Sequence, residues 1–130
     1  MAIIYLGTSG FSYREWIGSF YPRGIKGPEM LDFYVSHFNA VEINNTFYQI
    51  PSPTALEAWR DGAPSGFRFA VKANQSLTRR KDFGMADGRF ELFLTRIALL
   101  GAKLGPVLFL FPSADDEPER IMAFARQMKM

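Results

Sequence analysis

The stretch that decides the fold runs from residue 41 to residue 48 and reads Val41-Glu42-Ile43-Asn44-Asn45-Thr46-Phe47-Tyr48. Val41 and Ile43 are apolar and β-branched, and polar residues alternate with them. In a strand, this alternation places the two apolar side chains on one face, and Glu42 and Asn44 on the other. Buried polar groups either satisfy one another or face a ligand. The stretch therefore predicts a strand with a candidate site at its end.

Strand-like and helix-like patterns alternate on both sides of this stretch. Strands are predicted near residues 3–7, 40–44, 67–73 and 106–111, and each is followed by a helical pattern. The helices are predicted to begin near Pro28, Pro53, Asp87 and Asp116, with Ser52 as the cap of the second helix and with Leu56 and Trp59 on its inner face. The fourth strand is predicted to end at Pro112 and Ser113, and a polar loop is predicted from Asn74 to Gly88. A β-α unit that repeats about every 30 residues indicates parallel strands joined by right-handed crossovers.

The predicted fold class is α/β, namely a TIM-barrel-like (βα)4 half-barrel with parallel strands. Residues 1–130 form one domain in this interpretation. Four units do not close a (β/α)8 barrel, which needs roughly 200 residues or more. The first and fourth strands would then be open edges, which is a liability in a sheet. A second copy of the chain or a separate second half-barrel would cover them.

Composition excludes several classes of function. The chain has no cysteine and a single histidine, His37, so no metal site of thiolates or imidazoles is predicted. The formal net charge of +2 does not by itself indicate binding to nucleic acid or membranes. No apolar run approaches the roughly 18 residues of a membrane span, and the N-terminus lacks the pattern of a signal peptide. A cytoplasmic location is therefore predicted.

Several blocks of sequence resemble a known family. They are residues 7–13 (GTSGFSY), 20–22 (FYP), 38–48 (FNAVEINNTFY), 51–53 (PSP), 66–72 (GFRFAVK) and 103–109 (KLGPVLF). Together these blocks are similar to the YecE-like family of unknown function (domain of unknown function seventy-two). The resemblance covers nearly all of residues 3–113. It implies a fold like a TIM barrel and no established activity.

The chain departs from this family in three respects. Members are roughly twice as long, so the resemblance is to the N-terminal half only, and a later family strand similar to E-F-R-H-x-S-W is missing. The family usually has F-Q-L-P-P where this chain reads Phe109-Leu110-Phe111-Pro112-Ser113. A polar side chain that faces inward has thus become Leu110. The Thr-His that usually follows the third strand is Thr78-Arg79 here.

The candidate site lies at the carboxyl ends of the strands, where TIM barrels carry their sites. Glu42 is the candidate general acid or base, and Lys72 is its candidate partner or anion holder, within ion-pair reach on the neighbouring strand. The alternative is a mutually satisfied Glu–Lys pair that only fixes the barrel interior. The candidate ligand-binding residues are polar or aromatic and lie near the predicted strand ends: Thr8, Ser9, Tyr13, Trp16, Asn44, Thr46, Tyr48 and Asn74.

Two loops have alternative interpretations. The loop Gly7-Thr8-Ser9-Gly10 could hold a phosphate with its backbone N–H groups, but it lacks the spacing and lysine of a P-loop, which favours a structural turn. The basic loop Arg79-Arg80-Lys81 could bind nucleic acid by charge, with aromatic side chains nearby for stacking. A solvated loop without a partner is the other interpretation, and short runs of charge favour it.

Three hypotheses for function follow. The first is an enzyme-like barrel that binds or acts on a small polar or phosphorylated ligand, with no reaction or cofactor identified. The second is a nucleic-acid-binding module that uses the basic loop. The third is a non-catalytic remnant of a barrel that retains only its determinants of folding.

Overall fold

Three short parallel strands form the sheet of the structure, a computed structural model that describes residues 1–111 and 118–129. Strand β1 spans Ala40–Ile43, β2 spans Arg68–Lys72 and β3 spans Leu104–Leu108. They are hydrogen-bonded in the order β1-β2-β3, and both pairings are parallel. The prediction of an α/β fold with parallel strands is therefore confirmed for these three strands.

Five α-helices accompany the sheet. They are α1 (Gly27–Tyr34), α2 (Pro53–Gly62), α3 (Gln75–Arg79), α4 (Arg89–Ile97) and α5 (Pro118–Met128), and 3-10 turns lie at Arg14–Trp16, Asn45–Phe47 and Ala98–Lys103. As predicted, the Ser52 side chain caps α2, because its Oγ accepts from the Ala55 N–H at 3.2 Å. The predicted polar loop from Asn74 to Gly88 is wrong in part, because it contains α3. The predicted end of the fourth strand at Pro112 and Ser113, and the predicted helix start at Asp116, lie outside the described residues.

The predicted strand at residues 3–7 does not form. The chain pairs with β1 only at Ser9, through the Glu42 N–H to the Thr8 carbonyl at 3.0 Å and the Gly10 N–H to the Glu42 carbonyl at 2.8 Å. Gly7 lies so close to β1 that a Cβ on it would sit 1.9 Å from the carbonyl oxygen of Ala40. Residue 7 therefore has no room for a side chain, and pairing with β1 is confined to the bridge at Ser9.

Hydrogen bonds from side chains take the place of backbone pairing between the N-terminal residues and β1. The Tyr34 hydroxyl donates to the Ala40 carbonyl at 3.1 Å and accepts from the Thr8 N–H at 2.8 Å, so it lies between the two backbones. The Asn39 amide accepts from the Leu6 N–H at 2.7 Å and donates to the Ile4 carbonyl at 2.8 Å. Residues 3–8 therefore run alongside β1 without forming a strand.

The other three strands are also shorter than predicted, and the third is shifted along the chain. β1 ends one residue before the predicted 44, β2 lacks one predicted residue at each end, and β3 covers 104–108 rather than 106–111. The register between β2 and β3 is irregular between Phe69 and Val71. Pro106 has no N–H to donate to the ladder, and Gly105 packs against the Phe69 backbone, so this part of β3 pairs imperfectly.

The core lies on one face of the sheet. Val41, Ile43, Phe69 and Val71 point into it and are at most 3% exposed. Buried residues of the helices and turns pack against them, including Tyr34, Leu56, Leu77, Phe93, Ile97 and Leu100. Burial of this apolar surface is the main force that stabilises the arrangement.

The opposite face of the sheet is open. An open trough of about 520 Å³ runs along it, lined by residues that include Thr8, Ser9, Glu42, Arg68, Ala70 and Pro106. Parallel sheets are normally covered on both faces. Leu108 and Leu110 are 48% and 46% exposed, whereas Phe109 between them packs against Phe90 and Phe124 on the core side.

The long loop from Phe11 to Ile25 packs its aromatic side chains against α1. The Phe20 ring contacts Phe33 and Tyr34, with ring centroids 5.2 and 6.3 Å away. Tyr21 is 1% exposed, and its hydroxyl donates to the Phe11 carbonyl. Burial, with a smaller effect of Tyr34, raises the pKa of Tyr21 to about 12. The hydroxyl therefore stays protonated and available as a donor.

We expect the substitution Tyr34→Phe to lower the free energy of unfolding by about 1–3 kcal/mol, the cost of leaving buried partners unsatisfied. Without the hydroxyl, the Ala40 carbonyl and the Thr8 N–H lose their bridge. Urea denaturation of both proteins measures the difference. Tyr48→Phe is the matched control, because Tyr48 is 72% exposed, and we expect a change within about 0.5 kcal/mol. Equal changes in the two variants would show that the Tyr34 bridge contributes no stability.

Candidate functional site

A chain of three polar side chains lies where β1 ends. The Ser9 Oγ donates to the Glu42 Oε1 at 3.2 Å, and the Asn44 Nδ2 donates to the Ser9 Oγ. Backbone pairing of Thr8 and Gly10 with Glu42 holds Ser9 beside the carboxylate. The structure thus brings together three of the predicted site residues. Within the described part of the chain, the second oxygen of Glu42 and the carbonyl oxygen of Asn44 form no hydrogen bond.

The Gly7–Gly10 loop is bonded to its own neighbourhood. The Thr8 Oγ1 donates to the Gly10 carbonyl at 2.7 Å and lies 2.9 Å from the Tyr34 hydroxyl. The Tyr13 hydroxyl donates to the Ser9 carbonyl at 2.5 Å. Gly10 has a φ of +80°, which favours glycine. These contacts support the interpretation as a structural turn, in which Thr8 stabilises the loop.

The predicted ion pair between Glu42 and Lys72 does not form. The register pairs Glu42 with Ala70 and Ile43 with Val71, so Lys72 is level with Asn44, two residues further along β2. The Lys72 ammonium instead lies 4.6 Å from the centroid of the Phe47 ring, a cation–π contact. A mutually satisfied Glu–Lys pair is therefore also wrong as an explanation of these residues. The predicted catalytic roles of Glu42 and Lys72 stay predictions.

Thr46 and Asn74 are buried and hold the loops that follow β1 and β2. The Thr46 Oγ1 donates to the Lys72 carbonyl at 2.6 Å, with the Ile43 carbonyl at 2.9 Å as the alternative acceptor. The Asn74 amide donates to the Thr46 carbonyl at 3.2 Å and accepts from the Ser76 N–H at 3.1 Å. Their polar groups are engaged with the protein, so the structure gives both residues a structural role.

A second cavity lies beyond the end of β1, and we call it the mouth cavity. Its volume is about 610 Å³, and the residues that line it include Tyr13, Ile43, Asn44, Asn45, Tyr48 and Trp59. Ligand sites in proteins are commonly of this size. Asn44 lines the mouth cavity and Glu42 lines the trough. The Ser9–Glu42–Asn44 chain therefore lies between the two spaces.

The predicted aromatic residues divide between this cavity and the core. Tyr13 and Tyr48 line the mouth cavity, whereas Trp16 packs on Tyr13 with ring centroids 4.7 Å apart and contacts Phe20 and Tyr21. Sequence reasoning missed Trp59 and Asn45 as lining residues. Trp59 lies on the face of α2 that was predicted to be buried, and it is only half-buried. No pattern in the sequence separates such a tryptophan from a core residue.

The basic loop is partly neutralised by neighbouring carboxylates. Arg79, Arg80 and Lys81 are exposed, but Arg80 forms an ion pair with Asp87. The Arg89 N–H, and then the nearby arginines, lower the pKa of the Asp87 carboxyl. Hydrogen bonds from the N–H groups of Ala86 and Gly84 likewise lower the pKa of Asp82. Both carboxylates are thus charged at neutral pH, and binding of nucleic acid by this loop stays a prediction.

Other basic side chains of the second half donate to main-chain carbonyls. Lys103 donates to the Arg60 and Ala63 carbonyls at the end of α2. Arg96 donates to the Pro51 carbonyl at 2.9 Å, and Arg120 donates to the Thr78 carbonyl at 2.8 Å. These three basic side chains therefore connect separate elements of the fold.

Two further properties concern the described residues, 1–111 and 118–129. No group of three His, Asp or Glu side chains there could hold a metal ion. No helix in the same ranges is long and apolar enough to cross a membrane. The predicted cytoplasmic location stays a prediction.

Comparison with protein families gives one match that extends over almost the whole chain. The family described as "Protein of unknown function DUF72" matches residues 5–130. UPF0759 protein YunF of Bacillus subtilis (strain 168) is 32% identical over 133 residues, covering 98% of this chain and 46% of that protein. UPF0759 protein YecE of Escherichia coli (strain K12) is 29% identical over 111 residues, covering 85% and 38%. The chain spans less than half the length of these curated relatives.

Solved structures show the same relationship in the fold. A DUF72 family protein from Enterococcus faecalis V583 superposes with a TM-score of 0.72 at 21% identity, covering 98% of this chain and 46% of that one. A DUF72 family protein from Thermotoga maritima MSB8 gives a TM-score of 0.67 at 26% identity, covering 98% and 52%. The resemblance found in the sequence motifs is therefore confirmed.

We expect Thr46→Val, which removes the hydroxyl and keeps the shape, to lower the free energy of unfolding by about 1–3 kcal/mol, because the Lys72 and Ile43 carbonyls lose a buried donor. Urea denaturation measures the change. The matched control is Thr54→Val on the exposed side of α2, for which we expect at most about 0.5 kcal/mol. If Thr46→Val is as stable as the control, the hydroxyl is free for another role.

Proposed function

We propose that this chain, which belongs to the DUF72 family of proteins of unknown function, binds a small polar ligand at the carboxyl end of its sheet. The observation that carries the proposal is the hydrogen-bonded chain Ser9–Glu42–Asn44 between two cavities. The free carboxylate oxygen of Glu42 would accept from the ligand, and the amide of Asn44 would both donate and accept.

The position of these residues supports a ligand site over a purely structural cluster. In open or closed α/β folds, ligands bind beyond the carboxyl ends of parallel strands. Ser9, Glu42 and Asn44 lie at that end of β1, and Lys72 lies level with Asn44 on β2. Thr46 and Asn74, by contrast, are satisfied by the backbone. The polar groups left for a ligand are thus those of Glu42, Asn44 and Lys72.

Within this proposal, the whole chain forms one half of a TIM-barrel-like domain. The match to less than half of the Enterococcus faecalis structure, at a TM-score of 0.72, supports this view. The open trough, with Leu108 and Leu110 exposed beside it, would be covered by a second half-barrel.

Glu42→Gln tests the site, because it removes the charge and keeps the shape. We expect compounds that raise the thermal unfolding temperature of the unaltered chain to bind roughly ten- to a hundredfold more weakly to the variant, the effect of losing a charge-assisted hydrogen bond. Thermal unfolding is followed with neutral sugars, amino acids, amines and inorganic phosphate in separate samples.

Glu57→Gln is the matched control, since Glu57 is exposed on α2 and lies outside both cavities. It should bind every compound as the unaltered chain does. Equal affinity of the unaltered chain and Glu42→Gln for every stabilising compound, or no stabilisation by any compound, would overturn the proposed site.

A further inference from the structure

The mouth cavity combines amide side chains with aromatic rings. Asn44 and Asn45 supply the amides, and Tyr13, Tyr48 and Trp59 supply aromatic rings. Among the described residues that line it, no side chain carries a formal charge. Such a wall lacks the cations or the several N–H donors that a phosphate needs, and it lacks a carboxylate that could form an ion pair with an ammonium group. It favours a neutral ligand that has both polar and apolar faces.

The amides suit a ligand with neighbouring hydroxyl groups. Each asparagine side chain offers a carbonyl acceptor and two N–H donors, and a hydroxyl group both donates and accepts. Asn44 already uses one N–H on Ser9, so its carbonyl oxygen and second N–H remain for a ligand. Glu42 is bonded to the same Ser9 hydroxyl, but it lines the trough and not the mouth cavity.

Tyr13 and Tyr48 each contact a neighbouring aromatic ring before any ligand binds. The Tyr13 hydroxyl is fixed by the Ser9 carbonyl, and its ring packs on Trp16. Tyr48 packs edge-on against Phe47, with ring centroids 5.0 Å apart, yet 72% of its surface is exposed. A large aromatic ring exposed at the rim of a cavity is available for an apolar face of a ligand. Because the rings are pre-organised, little entropy is lost when they are used.

We propose that the mouth cavity binds a neutral polyhydroxylated ring, such as a sugar. Its hydroxyl groups bond to Asn44 and Asn45, and the apolar face of the ring packs on Tyr48. This inference rests on the proposed site at the end of β1 and names the class of ligand that the site takes.

The two tryptophans of the chain make the test direct. Trp59 lines the mouth cavity, whereas Trp16 is separated from it by Tyr13. In a proton–nitrogen correlation spectrum of the 130-residue chain, each indole N–H gives its own signal, and Trp59→Phe assigns them. The probes are methyl α-D-glucopyranoside, methyl α-D-galactopyranoside and myo-inositol, with inorganic phosphate and tetramethylammonium chloride at the same concentrations. We expect at least one of the three neutral probes to shift the Trp59 signal and the Asn44 and Asn45 side-chain signals in a saturable manner, with a smaller effect on Trp16.

Two variants separate a stacking ring from a structural one. Tyr48→Ala should weaken binding of the responding probe roughly two- to tenfold, the range of a single aromatic contact, whereas Tyr48→Phe should keep it. Tyr5→Ala is the matched control, because it removes a partly exposed tyrosine from the trough instead of the mouth cavity. It should leave the affinity unchanged.

Three results would overturn the inference. If phosphate or tetramethylammonium shifts these signals and none of the neutral probes does, the site exists but takes a charged ligand. If no probe changes the spectrum, both the ligand class and the proposed site are wrong. If a neutral probe binds equally well to Tyr48→Ala, or shifts signals only outside the mouth cavity, the assignment of the ligand to this cavity is wrong.

Discussion

The parallel register of β1, β2 and β3 is the constraint on which the rest of the structure depends. It pairs Val41 with Phe69 and Ile43 with Val71, so that all four side chains enter one core. A shift of one residue would turn these side chains to the open face and carry Glu42 into the core. The buried apolar face therefore fixes the register, and the register fixes which polar side chains meet at the carboxyl end of the sheet.

Polar side chains complete the backbone bonding wherever the ladder stops. Tyr34 bridges the backbone at Thr8 and Ala40, and Thr46 and Asn74 connect the loops that follow β1 and β2. Lys103 likewise donates to carbonyls at the end of α2. Buried carbonyl and N–H groups need partners, and strands of only four or five residues leave many of them at their ends. Much of the polar chemistry of this chain is used in this way.

Features that depend on a single element could be predicted from the sequence. The alternation at Val41–Asn44 predicted β1 and its two faces, since a single strand contains all the information needed. The start of α2 was equally predictable, because Ser52 and Pro53 act within one helical turn. The proximity of Ser9, Glu42 and Asn44 could be predicted, because all three lie at or just beyond the carboxyl ends of neighbouring predicted strands.

Features that depend on distances between elements could not be predicted. The apolar run Ile3-Ile4-Tyr5-Leu6 resembles a strand, but its backbone is bonded by the Asn39 side chain and does not pair with β1. Whether Glu42 meets Lys72 depends on a shift of two residues in register, which keeps the same side chains buried and which the alternation of apolar residues therefore leaves open. No pattern in the sequence indicates the backbone partners of Thr46 and Asn74. Trp59 looks like a core residue because its exposure depends on how α2 lies against the loops.

The attachment of residues 3–6 by the side chain of Asn39 has a consequence for local unfolding. A ladder opens only when several adjacent bonds break together, whereas this segment is attached by the two hydrogen bonds of one amide. Its opening leaves the β1–β2–β3 pairing intact, so its free energy is far below that of global unfolding. The amide hydrogens of this segment therefore exchange with solvent independently of those in the three strands. The N-terminal segment thus opens separately from the sheet, although it lies beside β1.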